Sequence, residues 1–167
     1  MVLVLKRDYS GQLCSIARSL ELVGDRWTLL IVRDVSLGLS RFDQLQESLG
    51  VASNTLTDRL NRLVADEILE RVRYSERPER FEYRLTQKGD ELGLVLLALM
   101  QWGDRYISEK PPRVARRRSD KSPISVAMVA ADGKVVPDED VELIDGPGMR
   151  KHKRARGKQP ASSTPAN

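Results

Sequence analysis

Apolar residues recur at helical spacing through most of the first hundred positions, and the pattern changes to strict alternation in one region only. Cys14, Ala17, Leu20, Leu22 and Val23 fall largely on one helical face, which Gly24 ends. Asp25 then stands as an N-cap before Trp27-Thr-Leu-Leu-Ile-Val-Arg-Asp-Val35, a run apolar enough to predict the central core helix. Leu37-Gly38-Leu39-Ser40 closes it. Phe42, Leu45 and Leu49 line a third helix, which Gly50 ends where a left-handed residue is needed. Ser53 reads as the N-cap of a fourth. In that helix Leu56, Leu60, Leu63 and Val64 form one apolar stripe, so Asn54, Thr55, Asp58, Asn61 and Arg62 point the other way.

The alternation predicts two strands, Ile68–Tyr74 and Phe81–Leu85. Val72 and Tyr74 are expected on one face with Arg71 and Arg73 opposite; Phe81, Tyr83 and Leu85 repeat this against Arg80, Glu82 and Arg84. Between the strands, Ser75 to Arg80 reads as a turn in which Pro78 fixes the backbone and Arg77 and Arg80 lie at or near the tip. Thr86 can cap a last helix running from Gln87 to about Ser108. Its middle, Leu92 to Trp102, is apolar around most of its circumference. A small monomer covers one side of such a helix, so the remainder is expected against a second copy of the chain, in a two-fold homodimer.

Helix, tight turn, helix and arginine-rich hairpin in that order outline a winged helix-turn-helix, mainly α with a small β-hairpin wing. DNA is therefore the first partner to consider. The expected organisation is an N-terminal arm (1–11), the winged helix-turn-helix domain (12–108), a basic linker (109–122), a small extension (123–148) and a basic tail (149–167). The extension can make short strands around Asp132-Gly133, and the composition of the tail is that of a disordered segment.

The net charge of +4 is unevenly placed. Residues 1–109 hold 15 Lys/Arg and 17 Asp/Glu, a net of −2; residues 110–167 hold 13 and 7, a net of +6. Overall basicity thus argues only weakly for nucleic acid, and the arginines of the hairpin argue more. Cys14 is the single cysteine, which excludes an intrachain disulfide or a Cys-rich zinc site and suits a reducing cytosol. No signal-peptide pattern or membrane-spanning run occurs, so a cytoplasmic protein is expected. The only histidine, His152, lies in the tail, and no catalytic triad, phosphate loop or metal-ligand spacing is present. An enzyme is not expected, nor a cofactor.

The stretches Gly24-Asp-Arg-Trp-Thr-Leu-Leu-Ile31, Arg41-Phe-Asp-Gln-Leu45, Leu56-Thr-Asp-Arg-Leu60, Tyr83-Arg-Leu-Thr-Gln-Lys-Gly89 and Gln101-Trp-Gly103, with Cys14 and the helix after it, carry a family resemblance. In order and spacing, residues 12–108 resemble the HxlR-type bacterial winged-helix transcriptional regulators. The resemblance implies DNA-binding homodimers joined through the first and last helices of the domain, acting as repressors or activators, often of adjacent genes. The extension resembles that of longer family members, with a Val-rich stretch, an Ala-Asp-Gly turn and a closing Gly-Pro-Gly. In some relatives it carries cysteines suited to a metal; here it has none, and no metal is expected.

Each candidate residue has a functional and a plainer reading. For Ser53, Asn54, Thr55, Asp58, Arg59 and Arg62 these are contact with bases and phosphates in the major groove, or a solvated helix face. For Arg77 and Arg80 they are phosphate or minor-groove contact, or pairing with neighbouring glutamates. Cys14 is a candidate redox or electrophile sensor, or a small buried hydrophobe. Trp27, Leu96, Met100, Trp102 and Tyr106 are core and dimer-interface residues that could also line a cavity for a small effector. The expected function is a sequence-specific regulator, more often a repressor, acting as a dimer on an inverted repeat and relieved by a small effector or a thiol-reactive signal. The alternative is a winged helix used for protein contact, with the basic tail holding nucleic acid nonspecifically.

Overall fold

The computed structural model describes residues 13–149; the arm at 1–11 and nearly all of the tail at 149–167 lie outside them. Residues 19–127 form one compact unit, and residues 13–18 with 128–149 belong to a second. The helices are α1 (Ser15–Val23), α2 (Thr28–Ser36), α3 (Phe42–Leu49) and α4 (Ser53–Ala65). The strands β1 (Leu69–Glu76) and β2 (Glu79–Leu85) follow, then α5 (Gln87–Asp90) and α6 (Leu92–Tyr106). This is a winged helix-turn-helix.

The core of the larger unit is built from the stripes the sequence displays. Ile31 and Val32 of α2, Leu45 of α3, and Leu56, Leu60 and Leu63 of α4 are sealed from solvent, and Ile68, Leu69 and Tyr83 complete the cluster. Burial of each large aliphatic side chain contributes about 1.5–3 kcal/mol. The helix starts and stops are local. Asp25 accepts the amide of Trp27 at 3.0 Å at the entry to α2. Gly50, in the left-handed conformation at φ 60°, ends α3 and leads into α4 through the buried Val51. Thr86 accepts the Gly89 amide at 3.1 Å and opens α5.

Several expectations are corrected. Ser53 is the first residue of α4 and not its cap: the extended residue before the helix is Ala52, and no side chain caps it. Burial of Val51 puts the change of backbone direction one residue earlier than the serine suggests. The single last helix is two, because its first turn is pinned to the hairpin. The Thr86 hydroxyl donates to the Glu67 carbonyl at 2.7 Å, and Gly89 lies so close to the Ile68 carbonyl that a Cβ would collide with it. The strands are longer than predicted and the turn shrinks to Arg77-Pro78, with Glu76 opposite Glu79.

The faces of β1 also differ. Arg71 pairs with Tyr83 and Arg73 with Phe81, so both arginines share the face of β2's aromatics, not the opposite one. The Arg71 guanidinium covers the Phe81 ring at 3.6 Å where the hairpin runs out beyond the core. A bulge between Arg73 and Ser75 shifts the register, which simple alternation cannot anticipate. The hairpin's other edge is held by Ser40-Arg41, with the Tyr83 amide donating to the Ser40 carbonyl at 2.7 Å and Arg41 bridged to Glu82.

In α6, Leu92 and Leu96 pack on the core, while Val95, Leu99, Trp102 and Tyr106, spaced as one helical stripe, are 46–65% exposed. In the smaller unit, Ala130 and Lys134 are hydrogen-bonded across the Asp132-Gly133 turn, and Val129 is bridged to Val135.

Candidate nucleic-acid interface

Helix α4 buries Leu56, Leu60 and Leu63, and 3.6-residue geometry then dictates which side chains stand outermost. They are Asn54, Asp58, Asn61 and Ala65, all exposed, with Thr57 and Arg62 on either flank. Ser53 is exposed at the first turn; Thr55 and Arg59 lie half-buried on the flank. The outermost row is short, polar and mostly uncharged. Side chains of that type offer both donors and acceptors, as base edges do.

The two arginines of α4 have partners within the chain. Arg59 reaches Asp25 at 3.2 Å, in a pair whose side chains are each about one-third exposed. Arg62 donates to the Glu21 carbonyl at 3.2 Å and lies 3.8 Å from Asp66, with half of its side chain in solvent. Both fasten α4 to the corner between α1 and α2. Thr57 donates to the Ser53 carbonyl at 2.8 Å and the Asn54 side chain accepts the Thr55 amide at 2.8 Å, so the first turn is organised without a capping side chain on Ala52.

The hairpin divides its arginines differently. Arg73 pairs with Glu76 and Glu79, Arg84 with Glu82, and Arg71 and Arg41 lie over Phe81 and Tyr74. Arg77, at the turn, and Arg80, opposite Ser75, are exposed, and among the described residues neither has an ion-pair partner. The glutamates expected to compete for hairpin arginines therefore engage its stem and not its tip.

The remaining candidates separate into groups. Cys14 is an exposed free thiol just before α1, which is not the environment of a buried structural cysteine. Trp27 and Leu96 pack against the core, Met100 is half-buried, and Trp102 and Tyr106 are exposed with their rings 5.6 Å apart. No helix among the described residues is long and apolar enough to cross a membrane.

Two features of this surface were under-read. Asn61 was placed on the outward face but not among the candidates, although it follows Asn54 by two turns. Thr57 was missed, and its signal is its place one turn after Ser53 on the edge of the polar face.

Residues 22–111 match the family model described as HxlR-like helix-turn-helix. The chain belongs to that family. An HTH-type transcriptional regulator of Mycobacterium tuberculosis is 41% identical over 149 residues, covering 87% of this chain and 93% of the relative. Among solved structures, PA1607, described as a candidate transcription factor, superposes with a TM-score of 0.72 at 37% identity, covering 80% of this chain and 95% of its own. The redox regulator HypR in its oxidised form has a TM-score of 0.53 at 27% identity, over 57% of this chain and 99% of its own. The HxlR-like match contains the whole helix-turn-helix and hairpin, from the end of α1 to beyond α6.

Proposed function

We propose that this HxlR-like chain is a sequence-specific DNA-binding transcriptional regulator that acts as a two-fold dimer on an inverted repeat, chiefly as a repressor. The observation that carries the reading is the outermost row of α4, Asn54, Asp58 and Asn61, presented by a helix whose opposite face is wholly committed to the core. In this reading α4 lies in the major groove. Asn54 and Asn61 read base edges, Asp58 orients a neighbour or rejects a wrong base, and Ser53, Thr55 and Thr57 meet the backbone near the helix N-terminus. Arg62 and Arg59 fix the helix's attitude, and the exposed half of Arg62 also reaches phosphate. Arg77 and Arg80 contact phosphate or the minor groove.

The exposed stripe of α6 supports the dimer, because Val95, Leu99, Trp102 and Tyr106 are large apolar side chains left in solvent along one face of one helix, as at protein–protein interfaces. Leu20 of α1 is likewise 47% exposed. Two-fold symmetry then sets the two α4 helices about one DNA turn, ~34 Å, apart. Relief of repression would come through a change in the relation of the two subunits. An adduct or intersubunit disulfide at Cys14, or a small effector against the α6 aromatics, would supply it.

Binding to promoter fragments in the presence of excess competitor DNA tests the reading. A preferred site that survives competition supports it, and uniformly salt-sensitive binding with no preferred site supports a protein-contact module with a nonspecific basic tail. Loss of oxidant- or quinone-induced DNA release in Cys14→Ser would assign the signal to the thiol; unchanged release would remove Cys14 from the mechanism.

A further inference from the structure

Residues 110–122 hold six Lys and Arg against a single Asp, whereas residues 1–109 have a net charge of −2. A reading head without excess positive charge has little long-range attraction for DNA, whose phosphates supply essentially all of nonspecific affinity. The cations that could provide it begin directly after the winged domain, in the stretch expected to be a basic linker.

That stretch is folded. The Arg117 amide donates to the Ser122 carbonyl at 2.8 Å, the Lys121 amide to the Arg117 carbonyl at 3.0 Å and the Ile124 amide to the Ala115 carbonyl at 3.1 Å, with Arg116 bridged to Pro123. Asp120 closes the tip by accepting from the Ser122 amide at 3.0 Å, the Ser122 hydroxyl at 2.7 Å and the Arg117 guanidinium at 3.0 Å. The foot of the hairpin is fastened to α6. Gln101 Nε2 donates to the Val126 carbonyl at 3.2 Å while its Oε1 accepts the Val126 amide at 2.9 Å, so one side-chain amide satisfies both polar groups of a peptide as a neighbouring strand would.

The charges on this hairpin divide as those on the first one do. Arg117 is engaged by Asp120, whereas Arg113, Arg116, Arg118 and Lys121 are exposed and, among the described residues, have no carboxylate, carbonyl or ring partner. Four exposed cations without such a partner on one short folded element make a local positive surface that a polyanion complements. We propose that residues 113–124 form a second basic wing, anchored through Gln101, whose Arg113, Arg116, Arg118 and Lys121 contact DNA phosphates without reading sequence. The proposal rests on the DNA reading above and adds a second, sequence-independent contact to it.

The test uses the full chain and a mixed-sequence duplex of about 40 base pairs, titrated between about 50 and 200 mM salt. Each phosphate contact contributes about 0.9 to the slope of log affinity against log salt, so Arg116→Gln with Arg118→Gln should flatten it by about 1.8 per subunit. Affinity for a preferred site and for mixed sequence should fall by the same factor, and the thermal midpoint should not move. Gln101→Leu, which frees the foot without removing charge, should flatten the slope less. An unchanged slope in the double arginine variant, with the wild type binding in a salt-dependent way, overturns the second wing and leaves the α4 reading intact. The same is true if those arginines are needed for binding phosphatidylserine vesicles and not the duplex. Failure of the wild type to bind any duplex overturns both.

Discussion

Helix α4 and the β1–β2 hairpin both carry arginines, and the two elements use them in opposite ways. On α4, Arg59 and Arg62 turn back to Asp25, Asp66 and the Glu21 carbonyl, tying the helix to the corner of α1 and α2. On the hairpin, arginines of the stem are paired or stacked, while Arg77 and Arg80 stand in solvent without a charged partner among the described residues. The difference separates tasks that a basic residue could otherwise combine. In the proposed reading, short polar side chains on α4 are left to discriminate sequence, and guanidinium groups at the hairpin tip to hold phosphate.

The largest effect that would break this division is expected at the outermost row of α4. Asn54→Ala or Asn61→Ala should cost about 1–3 kcal/mol of discrimination between preferred and mixed-sequence DNA, with mixed-sequence affinity unchanged. The thermal midpoint should be unchanged in Asn61→Ala and slightly lowered in Asn54→Ala, which also loses its bond to the Thr55 amide. Equal losses on both kinds of DNA would move these residues to phosphate. Next, Arg59→Ala should lower stability by about 1–2 kcal/mol in denaturant titrations, because it removes a partly buried charged contact to Asp25. Arg62→Ala should do less to stability and should also weaken operator binding beyond its effect on folding. Loss of sequence preference in a stably folded Arg59→Ala protein would collapse the distinction between positioning and reading.

Arg77→Gln and Arg80→Gln should leave stability and sequence preference alone and each flatten the salt slope by about 0.9 per contact. Unchanged slopes would assign the tip to ordinary surface charge. The smallest effect is a pH dependence in the 115–124 hairpin. The Ser122 amide and hydroxyl hold the Asp120 carboxyl below its usual pKa of 3.8, with Arg117 adding to the shift. A depressed pKa in the folded state means stabilisation present above the ordinary carboxylate range and lost as pH falls through the lowered value. The Ser122 amide proton should therefore keep its hydrogen-bonded chemical shift through neutral pH and lose it only below the ordinary range; invariance to lower pH would separate the turn from the carboxylate.

Much of the frame was legible because it depends on periodicity. The stripes Phe42, Leu45, Leu49 and Leu56, Leu60, Leu63 located α3 and α4 to within a residue and Gly50 marked the turn, whereas Asp25 is not the cap of α2: it closes the turn before it, and the cap position is Trp27. What was not legible depends on residues far apart in sequence or on local departures from period two. Alternation alone does not fix which set of β1 residues faces the core: Leu69, opposite Leu85, sets the phase, so Arg71 and Arg73 fall on the face of Tyr83 and Phe81, and the bulge beyond Arg73 is a separate departure. The Arg59–Asp25 pair joins two helices, and nothing in α4 alone distinguishes that arginine from one aimed outward. Residues 109–122 gave a composition but no fold, because their anchor is one glutamine on α6 meeting Val126, whereas the Asp132-Gly133 turn further on was legible from its own residues.

The most direct test of the central claim is selection of preferred duplexes from a random library by the full chain, read by sequencing. The division of labour predicts an enriched inverted repeat with half-sites centred about 10 base pairs apart, lost in Asn54→Ala but retained in Arg77→Gln. Enrichment of no common sequence, or of one that survives Asn54→Ala and Asn61→Ala together, would contradict it.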